Sequence, residues 1–326
     1  MGVRGDLDVT VVATVLNEKN DIRSLVESLM AQEPPAREVV IVDGGSTDGT
    51  WEWLVEAAAR YPTLRPIRDE SCSLRYSPGP IARGRNVGAG AATTEIVACA
   101  DAGCVYDADW LAKLTAPIHE GRAQYALGGS CLDVRGATVW DVASAPFFGV
   151  KLARDEPTKS CTARSMAFRR ELWERVGGFP ETVLLGEDTL FDQRVRAVAA
   201  PAFVQDAKAI YRPGNTFGGA MRQMASYAQA DGALGVRPAR LTRNLLRCVA
   251  EVASVAALRW TVVPLLLVLA LESYWAFRLD WRSVRRQPAG VLANRLIFSL
   301  LVPWVVTWNQ IVGARRKASR PNRQNA

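Results

Sequence analysis

Short apolar runs alternate with amphipathic segments over the first third of this 326-residue chain. Val9–Leu16, Val39–Val42 and Glu95–Ala100 are almost continuously apolar, which is typical of strands buried on both faces of a parallel sheet. Apolar residues recur at helical spacing in the intervening and following segments, Ile22–Met30, Trp51–Ala59, Pro80–Thr93 and Trp110–Ile118. This alternation predicts an α/β fold with a doubly wound, mostly parallel sheet.

The pattern is less regular from residue 125 onward. We predict strands at Tyr125–Val134 and Thr162–Phe168, and a loop at Pro146–Lys159. One helix is predicted to begin at Gly186 and another to span Thr216–Ala230. We therefore expect the α/β domain to occupy residues 1–235.

Two apolar segments lie near the end of the chain. Trp260–Leu271 is shorter than a bilayer span, whereas Leu296–Ala314 is long enough to cross. Arginines follow both segments, and the positive-inside tendency disfavours moving either basic stretch across a membrane. We predict that region 236–314 forms helices on or dipping into the cytoplasmic leaflet, with one full crossing as the alternative, and that 315–326 is a disordered basic tail.

The composition supports this prediction and excludes some chemistry. The net charge is +7, and the residues from Arg237 onward alone exceed that value, with 15 Arg or Lys against three acids. This basic segment is also rich in tryptophan and leucine, which favours an anionic membrane surface as partner. Nucleic acid ranks lower because no nucleic-acid-binding motif accompanies these arginines. The six cysteines form no C-x-x-C pair, so zinc is not indicated and a reduced compartment is expected. The single histidine, His119, excludes a site built from several histidines.

Carboxylates follow three of the predicted strands. Glu18 comes after the first strand, Asp43 after the second, and Asp101 after Glu95–Ala100. The carboxyl ends of neighbouring parallel strands meet at one edge of the sheet, where ligands bind in this fold class. A cluster of acids is unfavourable unless it holds a metal, ring donors or hydroxyls. Arg85 lies on the intervening helix, where it would offset these acids or neutralise a diphosphate.

Five short motifs occur in order along the chain. They are Thr14–Glu18 at the end of the first strand, V-D-G-G-S-T-D-G-T at Val42–Thr50, G-R-N-V-G at Gly84–Gly88, A-F-R-R followed by G-G-F within Ala167–Phe179, and the acid pair Glu187–Asp188. Together they make residues 9–231 resemble the family 2 glycosyltransferases, which have the GT-A fold. The resemblance predicts a GT-A-like α/β domain followed by membrane-associating helices.

The resemblance implies an enzyme that moves one sugar from a nucleotide-sugar donor to a hydroxyl group, with inversion, at the cytoplasmic face of the membrane. The acceptor would be a lipid-linked or envelope glycan. Asp188 would be the general base, with Glu187 on the acceptor side. The residues that would bind the donor are Thr14, Leu16, Glu18, Asp43, Ser46, Asp48, Arg85 and Asp101.

One motif departs from the family pattern. The family usually has D-x-D, whose last acid ligates a metal, whereas this chain has Asp101-Ala102-Gly103. Either Asp101 holds Mg²⁺ or Mn²⁺ together with water and the diphosphate, or the cation is dispensable and Arg85 carries more of the charge. The Q-x-x-R-W motif of processive synthases is absent from the sequence, so single-sugar transfer is favoured.

Two other functions remain as alternatives. A non-catalytic membrane adaptor with the same fold would fit the missing acid at Gly103. A nucleotidyltransferase would need a glycine-rich phosphate loop after the first strand, and Asn17–Asn20 contains no glycine.

Overall fold

The structure is a computed structural model, and it describes residues 6–134, 136–148, 150, 158–159, 162–211, 214, 216–277 and 289–318. Tertiary contacts divide the chain into two units. The first, here called the α/β unit, comprises Met1–Cys131 and Asp155–Arg212; the second, the helical unit, comprises Leu132–Arg154 and Pro213–Ala326. The predicted domain boundary after residue 235 stays a prediction.

Nine strands of the described residues form one sheet in the order β3-β2-β1-β4-β8-β6-β9-β5, with β7 paired to β6. The strands are β1 Leu7–Val15, β2 Ala36–Asp43, β3 Leu64–Arg68, β4 Ile96–Asp101, β5 Cys104–Tyr106, β6 Tyr125–Leu132, β7 Thr158–Lys159, β8 Met166–Arg169 and β9 Ala202–Tyr211. Strands β1 to β4 are parallel, and β8 joins β4 antiparallel. The predicted α/β sheet is confirmed, but strands β5, β7 and β9 were not predicted from the sequence.

Eleven helices are present in the part of the chain that the structure describes. In the α/β unit they are α1 Ile22–Met30, α2 Thr50–Arg60, α3 Pro80–Ala91, α4 Trp110–His119, α6 Arg170–Arg175 and α7 Glu187–Arg196. In the helical unit they are α5 Val139–Ser144, α8 Phe217–Leu234, α9 Pro238–Ala256, α10 Val263–Phe277 and α11 Ala289–Ala318. Of these, α11 is the one that is long and apolar enough to cross a bilayer, judged by length and composition.

Alternate side chains of the central strands bury on opposite faces of the sheet. Val11 and Ile41 belong to a core that includes side chains of α1, α2 and α4. Val12 and Val40 belong to a second core with side chains of α3, α6 and α7. Because a strand's side chains alternate between faces, a continuously apolar strand needs helices on both sides. The prediction of a doubly wound sheet follows from this and is confirmed.

Three local predictions need correction or lie partly outside the described residues. A short 3₁₀ helix at Ala163–Ser165 replaces the start of the strand predicted at Thr162–Phe168. Helix α11 continues to Ala318, so the tail is not disordered from residue 315; residues 319–326 lie outside the described residues. In the predicted loop Pro146–Lys159, a 3₁₀ helix ends at Phe148 and β7 closes the segment, while residues 149 and 151–157 lie outside the description.

Helix α3 packs unusually close to β1 because glycines face the strand. A methyl group at Gly84 would lie 2.2 Å from Oγ1 of Thr14, and one at Gly88 would lie 2.3 Å from Cγ1 of Val12. Both distances are far below van der Waals contact, so no larger residue fits without displacing the helix.

This packing predicts opposite effects for two glycine substitutions on one helix. Gly88→Ala should lower the free energy of unfolding by about 1–3 kcal/mol, because it overpacks the contact with Val12. Gly90→Ala is the matched control, since a methyl group there meets only Trp173 at 3.9 Å. That variant should gain up to about 1 kcal/mol from helix propensity. Urea unfolding measures both, and equal effects would contradict the packing argument.

Candidate active site

The parallel register brings the predicted acids to one edge of the sheet. Thr14 of β1 pairs with Asp101 of β4, and Val15 pairs with Asp43 of β2. The carboxyl ends of three adjacent strands therefore meet, as the sequence predicted. Thr14 is half-buried against α3, and Leu16, just beyond the strand, is exposed.

Asp43 is fully buried at the end of β2. Its Oδ1 accepts hydrogen bonds from the backbone N–H groups of Gly45 (2.9 Å) and Ser46 (2.8 Å), which fixes the turn that follows. Its Oδ2 is buried and accepts no hydrogen bond from the described residues. A buried acceptor without a donor is unfavourable, so this oxygen is suited to an N–H group supplied by a ligand.

Asn17 joins the loop after β1 to the turn after β2. It has a left-handed backbone with φ of 58°, a conformation that asparagine tolerates better than most residues. Its backbone N–H donates to Oγ of Ser46 (2.8 Å), and its Oδ1 accepts from the backbone N–H of Thr47 (2.9 Å). Ser46 is thus buried in a structural bond between two loops; its predicted contact with the donor stays a prediction.

Asp48 completes the same connection. Its Oδ1 accepts from the backbone N–H and hydroxyl of Thr50, and its Oδ2 accepts from the backbone N–H of Lys19 (3.0 Å). The bond from the Thr50 hydroxyl is the main reason that the pKa of Asp48 lies below its ordinary value. Both oxygens are therefore engaged in holding the loop that carries Glu18, whose backbone N–H donates to Oγ1 of Thr50 (2.9 Å).

Glu18 is a carboxylate whose pKa is strongly raised by its surroundings. Burial raises its pKa, and the negative charges of Asp21, Asp48 and Asp101 add to that effect, so the pKa is about 7. Glu18 therefore changes charge near neutral pH, within electrostatic range of Asp48 and Asp101.

Arg85 lies at the centre of the site and is almost completely buried. Its Nη2 donates to Oδ1 of Asp101 (2.7 Å), and its Nη1 donates to Oε1 of Glu187. Its guanidinium also lies 5.6 Å from the ring centre of Phe179. Burial by itself lowers the pKa of Arg85, but the charges of Asp101 and Glu187 outweigh it and raise that pKa.

Two of the predicted site residues have protein partners that the sequence did not indicate. Both terminal nitrogens of Arg85 bind carboxylates of the protein, and Glu187 is buried in an ion pair. The expected contact of Arg85 with a diphosphate and the acceptor-side role of Glu187 stay predictions. Arg85 therefore connects the end of β4 to the start of α7, and its charge is already matched.

The neighbouring residue Asn86 explains why the G-R-N-V-G and G-G-F motifs occur together. Its Nδ2 donates to the backbone oxygen of Phe179, and its Oδ1 accepts from the backbone N–H of Phe179, both at 2.8 Å. Gly178 precedes this contact with a φ of 67°, which favours glycine. Asn86 thus fixes the chain that leads from α6 toward α7.

Asp188 is half-buried in the first turn of α7. Its Oδ1 accepts a hydrogen bond from the backbone N–H of Thr189 (2.6 Å). It lies near enough to Arg85 for its charge to contribute to the raised pKa of that arginine. A carboxylate in the first turn of a helix is favourably placed with respect to the helix dipole.

Arg164 lies beside Asp101 and was not among the residues predicted from the sequence. Its Nε lies 3.8 Å from Oδ2 of Asp101, and its guanidinium lies 4.7 Å from the ring centre of Tyr211. The hydroxyl of Tyr106 donates to the backbone oxygen of Arg164 (2.9 Å) and accepts from the backbone N–H of Asp101 (3.0 Å). The available signal was a single arginine within the otherwise small and apolar stretch from Cys161 to Phe168.

The donor set at Asp101 does not fit a metal ion held by the protein. One carboxylate oxygen of Asp101 binds Arg85 and the other faces Arg164, so two positive groups lie where a cation would bind. Gly103, in a left-handed turn with φ of 73°, supplies no side chain. No group of three or more His, Cys, Asp or Glu side chains is placed to hold a metal among the residues that the structure describes.

Sequence comparison identifies related proteins. The model of the family described as "Glycosyl transferase family 2" matches residues 10–177, slightly more than half of the chain. Glycosyltransferase AglE from Haloferax volcanii is 25% identical over 200 residues, and the match spans 57% of this chain and 60% of that protein. The chain thus matches less than two thirds of this relative's length.

Structural comparison identifies two further proteins. The mannosyltransferase PcManGT from Pyrobaculum calidifontis, solved with GDP-Man and Mn²⁺, has a TM-score of 0.55 at 20% identity, covering 97% of this chain and 88% of that chain. Residues 1–349 of S. aureus TarS have a TM-score of 0.49 at 18% identity, covering 96% and 91%. The likeness to the mannosyltransferase shows a shared GT-A-like fold.

The ionisation of Glu18 gives a testable pH dependence of stability. Folding raises the pKa of Glu18 from 4.5 to about 7. Between these two pH values the side chain is mostly protonated in the folded state and mostly ionised in the unfolded state. The contribution of Glu18 to the free energy of unfolding should therefore fall as pH rises through this window. Glu18→Gln should remove that slope and make the protein more stable than wild type at pH 8.

Urea unfolding at pH 5, 6, 7 and 8 measures the effect, with Glu27→Gln on the exposed side of α1 as control. A wild-type slope that persists unchanged in Glu18→Gln would contradict the assignment.

Proposed function

Because the chain belongs to glycosyl transferase family 2, we propose that it moves a single sugar from a nucleotide-sugar donor to a hydroxyl acceptor with inversion. The observation that carries the proposal is the Arg85 bridge. It links Asp101, at the sheet edge where GT-A-like donors would bind, to the start of α7, where Asp188 follows Glu187. In this proposal one buried cation holds together the residues assigned to the donor and the residue assigned as the base.

Asp43 is the residue that we assign to the nucleobase. Its buried Oδ2 is an acceptor that would be satisfied by a ring N–H, while Oδ1 is held by Gly45 and Ser46. In this assignment Ser46 and Asp48 act indirectly, because they fix the loop that bears Glu18.

Asp188 is the proposed general base. The acceptor oxygen would attack the anomeric carbon while the bond from that carbon to the diphosphate oxygen breaks. The bonding electrons would leave with the diphosphate, and the acceptor's hydroxyl proton would pass to the carboxylate of Asp188. Attack opposite to the leaving group inverts the configuration at that carbon.

Arg164 is the residue that we assign to the diphosphate in place of Arg85. A guanidinium matches phosphate geometry, and that of Arg164 lies beside Asp101 at the sheet edge. The side chain retains 18% exposure, against 5% for Arg85. We infer that the chain's own cations neutralise much of the leaving group's charge.

We further propose that transfer occurs at the cytoplasmic face of a membrane, on a lipid-linked or envelope acceptor. Support comes from the length and composition of α11, 39% of whose most apolar window is buried within the structure. The basic residues toward the end of the chain would favour anionic headgroups.

Substituting the base separates catalysis from binding. Asp188→Asn should lower the rate of sugar transfer by about 10²–10⁴-fold, the usual contribution of a positioned base, while nucleoside diphosphate binding stays within a few fold. Asp206→Asn, an exposed carboxylate on β9, is the control and should retain the wild-type rate. Calorimetric titration and a transfer assay measure the two quantities. Nucleotide binding with no transfer even by wild type would favour the adaptor.

Substituting Arg164 tests the origin of charge neutralisation. Arg164→Met should lower kcat/KM for the donor by about 10²–10³-fold, the range seen when one donor to developing charge is removed. Arg169→Met on β8, which removes the ion pair with Glu95, is the control. Chelating divalent ions should lower the activity of the wild-type protein less than the Arg164→Met substitution lowers it. Complete loss of activity on chelation, with Arg164→Met fully active, would overturn this assignment.

A further inference from the structure

Helix α9 in the helical unit exposes its apolar face and buries its polar face, the opposite of a surface helix in a water-soluble protein. Its exposed apolar side chains, 47–64% accessible, are Leu245, Leu246, Val249, Val252 and Val255. Its buried side chains are mostly polar: Asn244, Arg247, Cys248 and Ser254. A helix on the surface of a water-soluble protein buries its apolar stripe and exposes its polar one.

The buried face of α9 is held by a closed polar network. Nε of Arg247 donates to Oε1 of Glu272 on α10 (2.9 Å), and Nη2 donates to Oε2 of Glu272 and to the backbone oxygen of Ser299 on α11 (2.9 Å). The hydroxyl of Ser299 donates to Oε2 of Glu272 (2.6 Å). A buried ion pair is tolerated when such further hydrogen bonds satisfy it. The polar face of α9 is thus already occupied by its neighbours.

The two neighbouring helices also expose apolar side chains. On α10, Leu266, Leu267 and Tyr274 are 56–66% accessible, and its one acid, Glu272, is turned inward. On α11, Trp304 and Trp308 are 45% and 66% accessible and lie one turn apart. Exposed apolar surface that is shared by three packed helices marks a binding surface.

We propose that the outward faces of α9, α10 and α11 form one lipid-facing surface, with α9 embedded in membrane hydrocarbon beside the two segments that the sequence indicates. Mean hydropathy does not reveal α9, because the polar half of the helix hides its apolar half. This inference extends the membrane part of the proposed function and is independent of the catalytic assignments.

Charge placement favours lipid over a protein partner. Exposed arginines flank the apolar face of α9, with Arg243 near its start and Arg259 just after its end. Residues 244–258 between them span about 22 Å at 1.5 Å per residue. That length is shorter than the roughly 30 Å of bilayer hydrocarbon, and an arginine lies at each end of the apolar face. The helix therefore suits a position along one leaflet, with both ends at headgroups that include anionic lipid.

Vesicle flotation of the full-length protein tests the proposal, using phosphatidylcholine vesicles with and without phosphatidylglycerol. Leu246→Glu and, separately, Val252→Glu should each lower partitioning by about a hundredfold, the penalty for a charge in hydrocarbon. Thr242→Glu, an exposed position on the same helix before the apolar face, is the matched control and should change partitioning only a few fold. Two variants are used so that a single misfolded one, identified by circular dichroism, does not decide the result.

Wild-type partitioning by both well-folded glutamate variants would overturn the proposal. Light scattering without lipid tests whether a second copy of the chain binds this surface instead. If the variants convert a dimer to a monomer while flotation is unchanged, the surface joins two copies of this chain and the proposal is wrong. Neither measurement involves a donor or a transfer. Their failure would therefore leave the assignments of Asp43, Asp188 and Arg164 standing, and failure of those assignments would leave the flotation result standing.

Discussion

The candidate site depends on one buried guanidinium. Arg85 has lost nearly all contact with water, which disfavours its charged form, yet Asp101 and Glu187 keep it ionised. Its two partners lie on different elements, β4 and α7, so the ion pairs hold those elements at a fixed separation from α3. Removing one partner would leave a charge buried without compensation, which typically costs about 3–5 kcal/mol. The position of Asp188 beside Glu187 therefore depends on an interaction in which Asp188 takes only a minor part.

The spacing of the G-R-N-V-G motif follows from the three directions in which α3 makes contact. Gly84 and Gly88 lie one turn apart and let the helix approach β1. Arg85 and Asn86 follow Gly84 in sequence and lie on other sides of the helix, where one meets the acids and the other meets the backbone of Phe179. The glycines of the motif allow close packing against β1, and its arginine forms the buried ion pairs. A donor need not touch any of its side chains for the motif to be necessary.

The sequence predicted those features that depend on local pattern and strand register. Asp43 and Asp101 were placed correctly at one sheet edge because continuous apolar strands, short connections and parallel pairing leave few alternatives. The partners of Arg85 were not predictable, because Glu187 reaches it only through the packing of α7, a hundred residues away. Arg164 was missed for the same reason, since its contact with Asp101 arises from a 3₁₀ turn at a position where a strand was expected.

Helix α9 shows a different limit on reading a sequence. A 3.6-residue period identifies a helix with two unlike faces, but it does not say which face is turned inward, because that choice depends on the solvent outside. In α9 the inward face is identified by Arg247, whose hydrogen bonds to Glu272 and Ser299 can form only if its polar side is enclosed. The ion pair at Arg247 thus has the same physical role in the helical unit as Arg85 has in the α/β unit: each fixes the arrangement of three elements. Around Arg247, enclosing the charges turns the apolar side chains of α9 outward, and this arrangement is the observation behind the proposed lipid-facing surface.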